Sequence, residues 1–126
     1  MLCNMSMPSR GVVQKIVVVD DDVLLSEVLV NALDSHGYAG VPAPNGIITG
    51  DLAIDASLVI LDAHIPGVDF GTTLQSLRDS NIGVLVLSGE PLPPPGVPPD
   101  EYLSKPVELA VLLSTVRRLA ASATVD

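Results

Sequence analysis

The stretch IVVVDDDVLLSEVLVNALDSHG, residues 16–37, changes period once, and that change decides the fold. Ile16 to Val19 is apolar throughout and rich in β-branched residues, the composition of a strand covered on both faces. It stops at three consecutive carboxylates, Asp20, Asp21 and Asp22. From Val23 the residues Leu24, Leu25, Val28, Leu29, Ala32 and Leu33 recur at helical spacing, and Gly37 is a natural stop. A buried strand leading straight into a helix is the opening of a parallel βαβ unit.

Further along the chain the alternation repeats. Tyr38 to Val41 reads as a weak strand cut off by Pro42 and Pro44, and Gly46 to Ala53 as a short helix weakened by Gly50. Ser57 to Leu61 is a second buried strand, ending at Asp62; Pro66-Gly67 then marks a turn. Phe70 to Asp79 is predicted as a helix with Phe70, Leu74 and Leu77 inward. Val84 to Leu87 is a strand ending at Ser88, and Tyr102 to Ser104 one ending at Lys105-Pro106. Pro106 is placed in the first turn of a last helix running to about Ala123. The inner stripe of that helix is Leu109, Leu112, Leu113, Val116, Leu119 and Ala120, and Val107 and Val111 fall on its outer side. This pattern predicts an α/β fold, a doubly wound five-stranded parallel sheet in the flavodoxin-like order 2-1-3-4-5. Residues 1–14 are expected to be a flexible lead-in, 15–123 the domain and 124–126 a tail.

One connection departs from the pattern. Gly89 to Asp100 carries six prolines, which remove amide donors and fix φ. An extended connection is therefore expected where a crossover helix would join the fourth and fifth strands.

Composition narrows the function. The chain has 126 residues, suited to one domain, with 48% apolar and 17% charged residues. Six basic residues face fifteen acidic ones, a net charge of −9, and aromatics are 2%. That balance argues against nucleic acid, whose phosphates reward clustered Lys and Arg and whose bases stack on aromatics. Cys3 is the one cysteine, so an intramolecular disulfide and a cysteine-based zinc site are excluded. Residues 1–11 lack the apolar centre of a signal peptide, and no stretch is long and apolar enough for a membrane span. The reading is a cytoplasmic protein.

The polar residues gather where strands end. In an open parallel sheet, ligands bind outside the carboxyl ends of the strands. Those ends carry Asp20, Asp21, Asp62, Ser88 and Lys105. Carboxylates a few Å apart repel by about 4 kcal/mol per pair at an effective dielectric near 20. A hard cation with oxygen ligands relieves that repulsion, and Mg²⁺ suits one or two carboxylates plus waters. Three carboxylates, one ammonium and Mg²⁺ sum to a neutral site able to receive a phosphoryl group.

Four motifs then carry a resemblance. VVVDDD (17–22), VILDAHIPG (59–67), VLVLSGE (84–90) and YLSKP (102–106), in that order, resemble the receiver domain of two-component response regulators. The likeness runs from about Lys15 to Ala121. It implies that Asp62 accepts phosphate from a histidine kinase or a phosphotransfer protein. It makes Asp21 the main metal carboxylate, Asp20 an assistant through water, and the His64 backbone carbonyl a further ligand. Ser88 and Lys105 would each bind a phosphoryl oxygen, and Tyr102 would occupy the aromatic switch position beside Ser88. Signalling would run by protein contact rather than by enzymatic turnover of a separate substrate. The standard dimer face beside the last strand is not expected to form, because the proline segment lies there.

Each residue has a plainer role to set beside this one. Asp22 is better suited to capping the helix after it. His64 and Glu90 read as exposed loop side chains near the acceptor, and Tyr102 as ordinary packing. Two other functions compete. A phosphatase of the haloacid-dehalogenase type would use Asp20 and Asp22, but needs an acidic pair after Lys105, where only Glu108 and Asp126 lie, and leaves Asp62 idle. A pseudo-receiver would keep the fold as an interaction module without phosphate. The last three residues are too few for an output domain, so the reading is a stand-alone receiver or a receiver fragment.

Overall fold

In the computed structural model, which describes residues 13–90, 96 and 98–123, the strands are Lys15–Val19 (β1), Ala39–Pro42 (β2), Ala56–Asp62 (β3), Gly83–Ser88 (β4) and Glu101–Ser104 (β5). The helices are Val23–Ser35 (α1), Gly50–Ala53 (α2), Phe70–Asp79 (α3) and Leu109–Ala123 (α4). All strand pairs are parallel and the order is β2-β1-β3-β4-β5, as the alternation predicts.

The central strands are apolar because both of their faces are covered. Ile16, Val18, Leu58, Ile60, Leu85 and Leu87 point to one side, where they meet Leu29 and Leu33 of α1 and Leu112, Val116 and Ala120 of α4. Val17, Val19, Val59, Leu61, Val84 and Val86 point to the other, against Leu74 and Leu77 of α3. Each such side chain contributes about 1.5–3 kcal/mol on full burial. Pro42 is tolerated because β2 is an edge strand. Gly40 lets β2 approach α1, since a Cβ there would lie 3.1 Å from the Val30 backbone.

Leu24 and Val28, which share the helical spacing with Leu25, Leu29 and Leu33, are 74% and 52% exposed. Leu25, Leu29 and Leu33 form the row that packs on the sheet, and a residue one position earlier is turned about 100° from it. Pro106 is not in the first turn of the last helix: α4 starts at Leu109, and the Lys105–Pro106 peptide, which is cis, lies in the bend before it. Leu109 is correspondingly exposed, whereas Val107 packs against the core beneath α4. Gln14 belongs to the folded unit, its Nε2 donating to the Ala120 carbonyl at 2.8 Å.

Residues 1–12 and 124–126 lie outside the described residues. The extended connection falls largely on 91–95 and 97, also outside them; Gly89, Glu90, Gly96 and Pro98–Asp100 carry no helix. No helix among the described residues is long and apolar enough to cross a membrane.

Candidate functional site

Strand register brings the polar residues together. Val19 pairs with Leu61, so Asp20 and Asp62 follow side by side. Asp62 pairs with Leu87, one residue before Ser88, and Ser88 pairs with Ser104, one before Lys105. Residues 85 positions apart in the chain thereby meet: Lys105 Nζ lies 3.1 Å from Asp20 Oδ2 and 3.5 Å from Asp62 Oδ1. One carboxylate oxygen from each of Asp20, Asp21 and Asp62 lies within 4.8 Å of the others.

The three carboxylates differ in surroundings. Asp20 and Asp62 are buried and Asp21 is exposed. Asp20 Oδ1 accepts the Asp22 amide at 2.9 Å. Asp62 Oδ1 accepts the His64 amide at 3.2 Å. Burial raises the Asp62 pKa above 3.8 and the charge of Asp20 adds to the rise; the His64 amide and Lys105 work against it without cancelling it. At Lys105 burial opposes the charge, but the hydrogen bond to Asp20 and the charges of Asp20 and Asp62 outweigh it and hold the pKa above 10.5. The ammonium thus compensates only part of the negative charge. The donors are oxygens only, three carboxylates against one cation, and this set fits a hard divalent ion.

No protein-family model matches the chain. Over 104 residues it is 36% identical to a response regulator receiver protein of Anaeromyxobacter sp. (strain Fw109-5), covering 80% of this chain and 43% of that one. Over 114 residues it is 35% identical to the probable transcriptional regulatory protein SilR of Salmonella typhimurium, covering 83% and 50%. The chain spans about half the length of the curated relatives it matches. Among solved structures, a CheY-like response regulator receiver domain protein of Methanospirillum hungatei superposes with a TM-score of 0.72 at 19% identity, over 89% of this chain and 97% of that one. The response regulator protein TrrA of Thermotoga maritima, solved in complex with Mg²⁺-BeF, gives 0.69 at 25% identity, over 84% and 98%.

The folded unit is a response-regulator receiver domain.

Within this receiver the remaining predicted residues fall around the same notch. Ser88 is fully buried, and its Oγ accepts the Glu90 amide at 3.0 Å. The Lys105 amide donates to the Ser88 carbonyl at 2.7 Å, tying β4 to the bend that carries the ammonium. Tyr102 packs in the core beneath α3, while its hydroxyl donates to the Glu90 carbonyl at 2.7 Å. Packing and a bond to the loop after Ser88 are thus both present. The side chains of His64 and Glu90 are exposed, as expected, with Nε2 and the carboxylate 3.9 Å apart. Asp22 is the N-cap of α1, its carboxylate accepting the Leu25 amide at 3.1 Å.

Three features escaped the sequence reading. Asp20 rather than Asp21 is the buried carboxylate bonded to the lysine. The Tyr102–Glu90 bond depends on loop path, which no periodicity encodes. A cleft of about 540 Å³, lined by Asp20, Asp21, Glu27, Val30, Pro44 and Ile65 among others, opens beside the carboxylates. Gly46 helps to shape it: φ is +69° and a Cβ would lie 2.9 Å from Ile65, so the loop passes where a side chain would not fit. The Pro44-Asn-Gly46 run was a signal for that turn.

Proposed function

We propose that this receiver accepts a phosphoryl group on Asp62 from the phosphohistidine of a histidine kinase or phosphotransfer protein, and then signals by binding a partner. The observation that carries this is the convergence of Asp62, Asp20, Asp21 and Lys105 on one notch. An Asp62 carboxylate oxygen attacks phosphorus, the P–O bond forms as the donor's P–N bond breaks, and the imidazole leaves as the acyl phosphate appears. The His64 amide holds the acceptor in place at Oδ1. The Lys105 ammonium lies within reach of charge developing on a phosphoryl oxygen, the electrostatic positioning on which phosphoryl transfer chiefly relies. The Ser88 hydroxyl takes up another oxygen by turning away from the Glu90 amide.

Asp20, Asp21 and Asp62 would hold Mg²⁺, with the His64 carbonyl as a further ligand; bound there, the ion neutralises carboxylate and phosphoryl charge. Val23 of α1, exposed on the cleft that Asp20 and Asp21 line, and Leu24 and Val28, exposed further along the same helix, supply an apolar seat for the protein donor. The domain acts in the cytoplasm and turns over no separate substrate.

Incubation with acetyl phosphate and Mg²⁺ tests this by intact mass. One phosphoryl adduct is expected, absent with EDTA and absent in Asp62→Ala. No adduct with either acetyl phosphate or beryllofluoride, together with no Mg²⁺ binding, would leave the pseudo-receiver reading in its place.

A further inference from the structure

The two faces of the sheet are unequally covered. On one lie α1 and α4, of 13 and 15 residues. On the other lie α3, of 10 residues, and α2, a single turn of 4 residues none of which is buried. Where a longer α2 would lie against α3, a groove of about 510 Å³ remains, lined among others by Ile47, Ile48, Ala53, Thr72, Ser76 and Leu77.

The shape of the groove suits a helix. Of α3, Thr72, Thr73, Ser76 and Leu77 line the groove, with Ser80 just past its end, so small side chains stand above one buried leucine. The ten residues of α3 extend about 15 Å, and helices pack at about 8–10 Å between axes when small residues face each other. Leu77 forms a buried floor, and Ile47 on the opposite wall is 52% exposed. Sheet edges lie elsewhere, at β2 and β5, so strand addition is not the mode of binding here.

Charge selects the occupant. Asp69 lines the groove and is exposed, as are Asp51 on α2 and Asp55 just past it, beside the lining residues Gly50 and Ala53. The nearby bases are already engaged, Arg78 with Asp100 and Lys15 with the Ile54 carbonyl. A second copy of a chain carrying −9 would be repelled. We propose that this groove seats an amphipathic basic helix of a partner protein, its apolar side chains on Ile47, Ile48 and Leu77 and its Lys or Arg residues toward those aspartates. The inference goes beyond the phosphoacceptor reading and does not depend on it.

A titration of the ¹⁵N-labelled full chain tests it without Mg²⁺ or phosphodonor. The probe is a synthetic helical peptide of about four turns with leucines on one face and lysines on the other. Chemical-shift changes are expected at Ile48, Thr72, Ser76 and Leu77, and none with the same peptide carrying glutamates for lysines. Ser76→Arg, which fills the groove, is expected to weaken binding by about tenfold or more, and Asp51→Lys with Asp55→Asn, which suits the left-handed backbone at 55, by about threefold or more. Ser114→Ala, on the far face, should leave affinity within about twofold. Shifts clustered on α1, or unchanged binding by Ser76→Arg and the double aspartate variant, would overturn the proposal. If Ser76→Arg does not fold, the double aspartate variant decides alone.

Discussion

Asp20 follows and Asp62 ends a buried strand, while Asp22 and Asp69 precede helices, and the same carboxylate does opposite work at the two kinds of boundary. Asp22 and Asp69 accept the amides of Leu25 and Thr72, donors that a helix N-terminus leaves free, and so each stabilises the fold. Asp20 and Asp62 are held next to each other with one ammonium between them, and burial raises the Asp62 pKa. The contrast teaches that carboxylates at the helix starts serve stability, whereas those at the strand ends are kept in spite of it.

Among the charged residues, Lys105→Met should have the largest effect on stability. It leaves Asp20 and Asp62 without their shared cation, and we expect a loss of about 2–3 kcal/mol at neutral pH by urea denaturation. Because Lys105 has a raised pKa, its contribution is complete below 10.5 and fades as pH rises through the folded value. A deficit that persisted unchanged well above that range would place the lysine's role in packing.

Removing the caps comes next. Asp22→Ala and Asp69→Ala should each cost about 1 kcal/mol, with the acetyl phosphate adduct retained. Loss of the adduct in Asp69→Ala would break the division between the two sets of aspartates.

Asp62→Asn should act in the opposite direction, raising stability by about 0.5–1 kcal/mol while the adduct disappears. A raised pKa means that folding favours the protonated acid and is opposed as pH rises through the folded value. The gain is therefore full at neutral pH and shrinks as pH falls toward 3.8. A destabilised Asp62→Asn at neutral pH would contradict the account of charge at the notch. Smallest of all, Leu24→Ser and Val28→Ser should each change stability by about 0.5 kcal/mol or less, whereas Leu29→Ala should cost about 2–5.

That last pair shows where the sequence was legible. Strands such as Ile16–Val19 and Val84–Leu87 were readable because burial on both faces leaves no polar position in them. Asp20, Asp62 and Ser88 stood out because each ends or follows such a strand, and Lys105 because it follows a short edge strand and precedes a proline. In α1 the apolar residues cover more than one stripe, 24 and 28 beside 25, 29 and 33, so period alone does not choose the inner one; packing on β1 and β2 does. Asp20 and Asp21 are neighbours of one type, and only the path of the chain past β1 decides which is buried. The groove beside α3 is a property of two helices' relative lengths, and no single residue announces it.

The most direct test is chemical mapping of the acceptor. The receiver is treated with acetyl phosphate and Mg²⁺ and then with borohydride, which reduces an acyl phosphate of aspartate to homoserine. Peptide sequencing by mass spectrometry should find homoserine at residue 62 alone, and only when the phosphodonor and Mg²⁺ were both present. Homoserine at Asp20 or Asp21, or a phosphorylated protein with residue 62 unchanged, would contradict the assignment of Asp62.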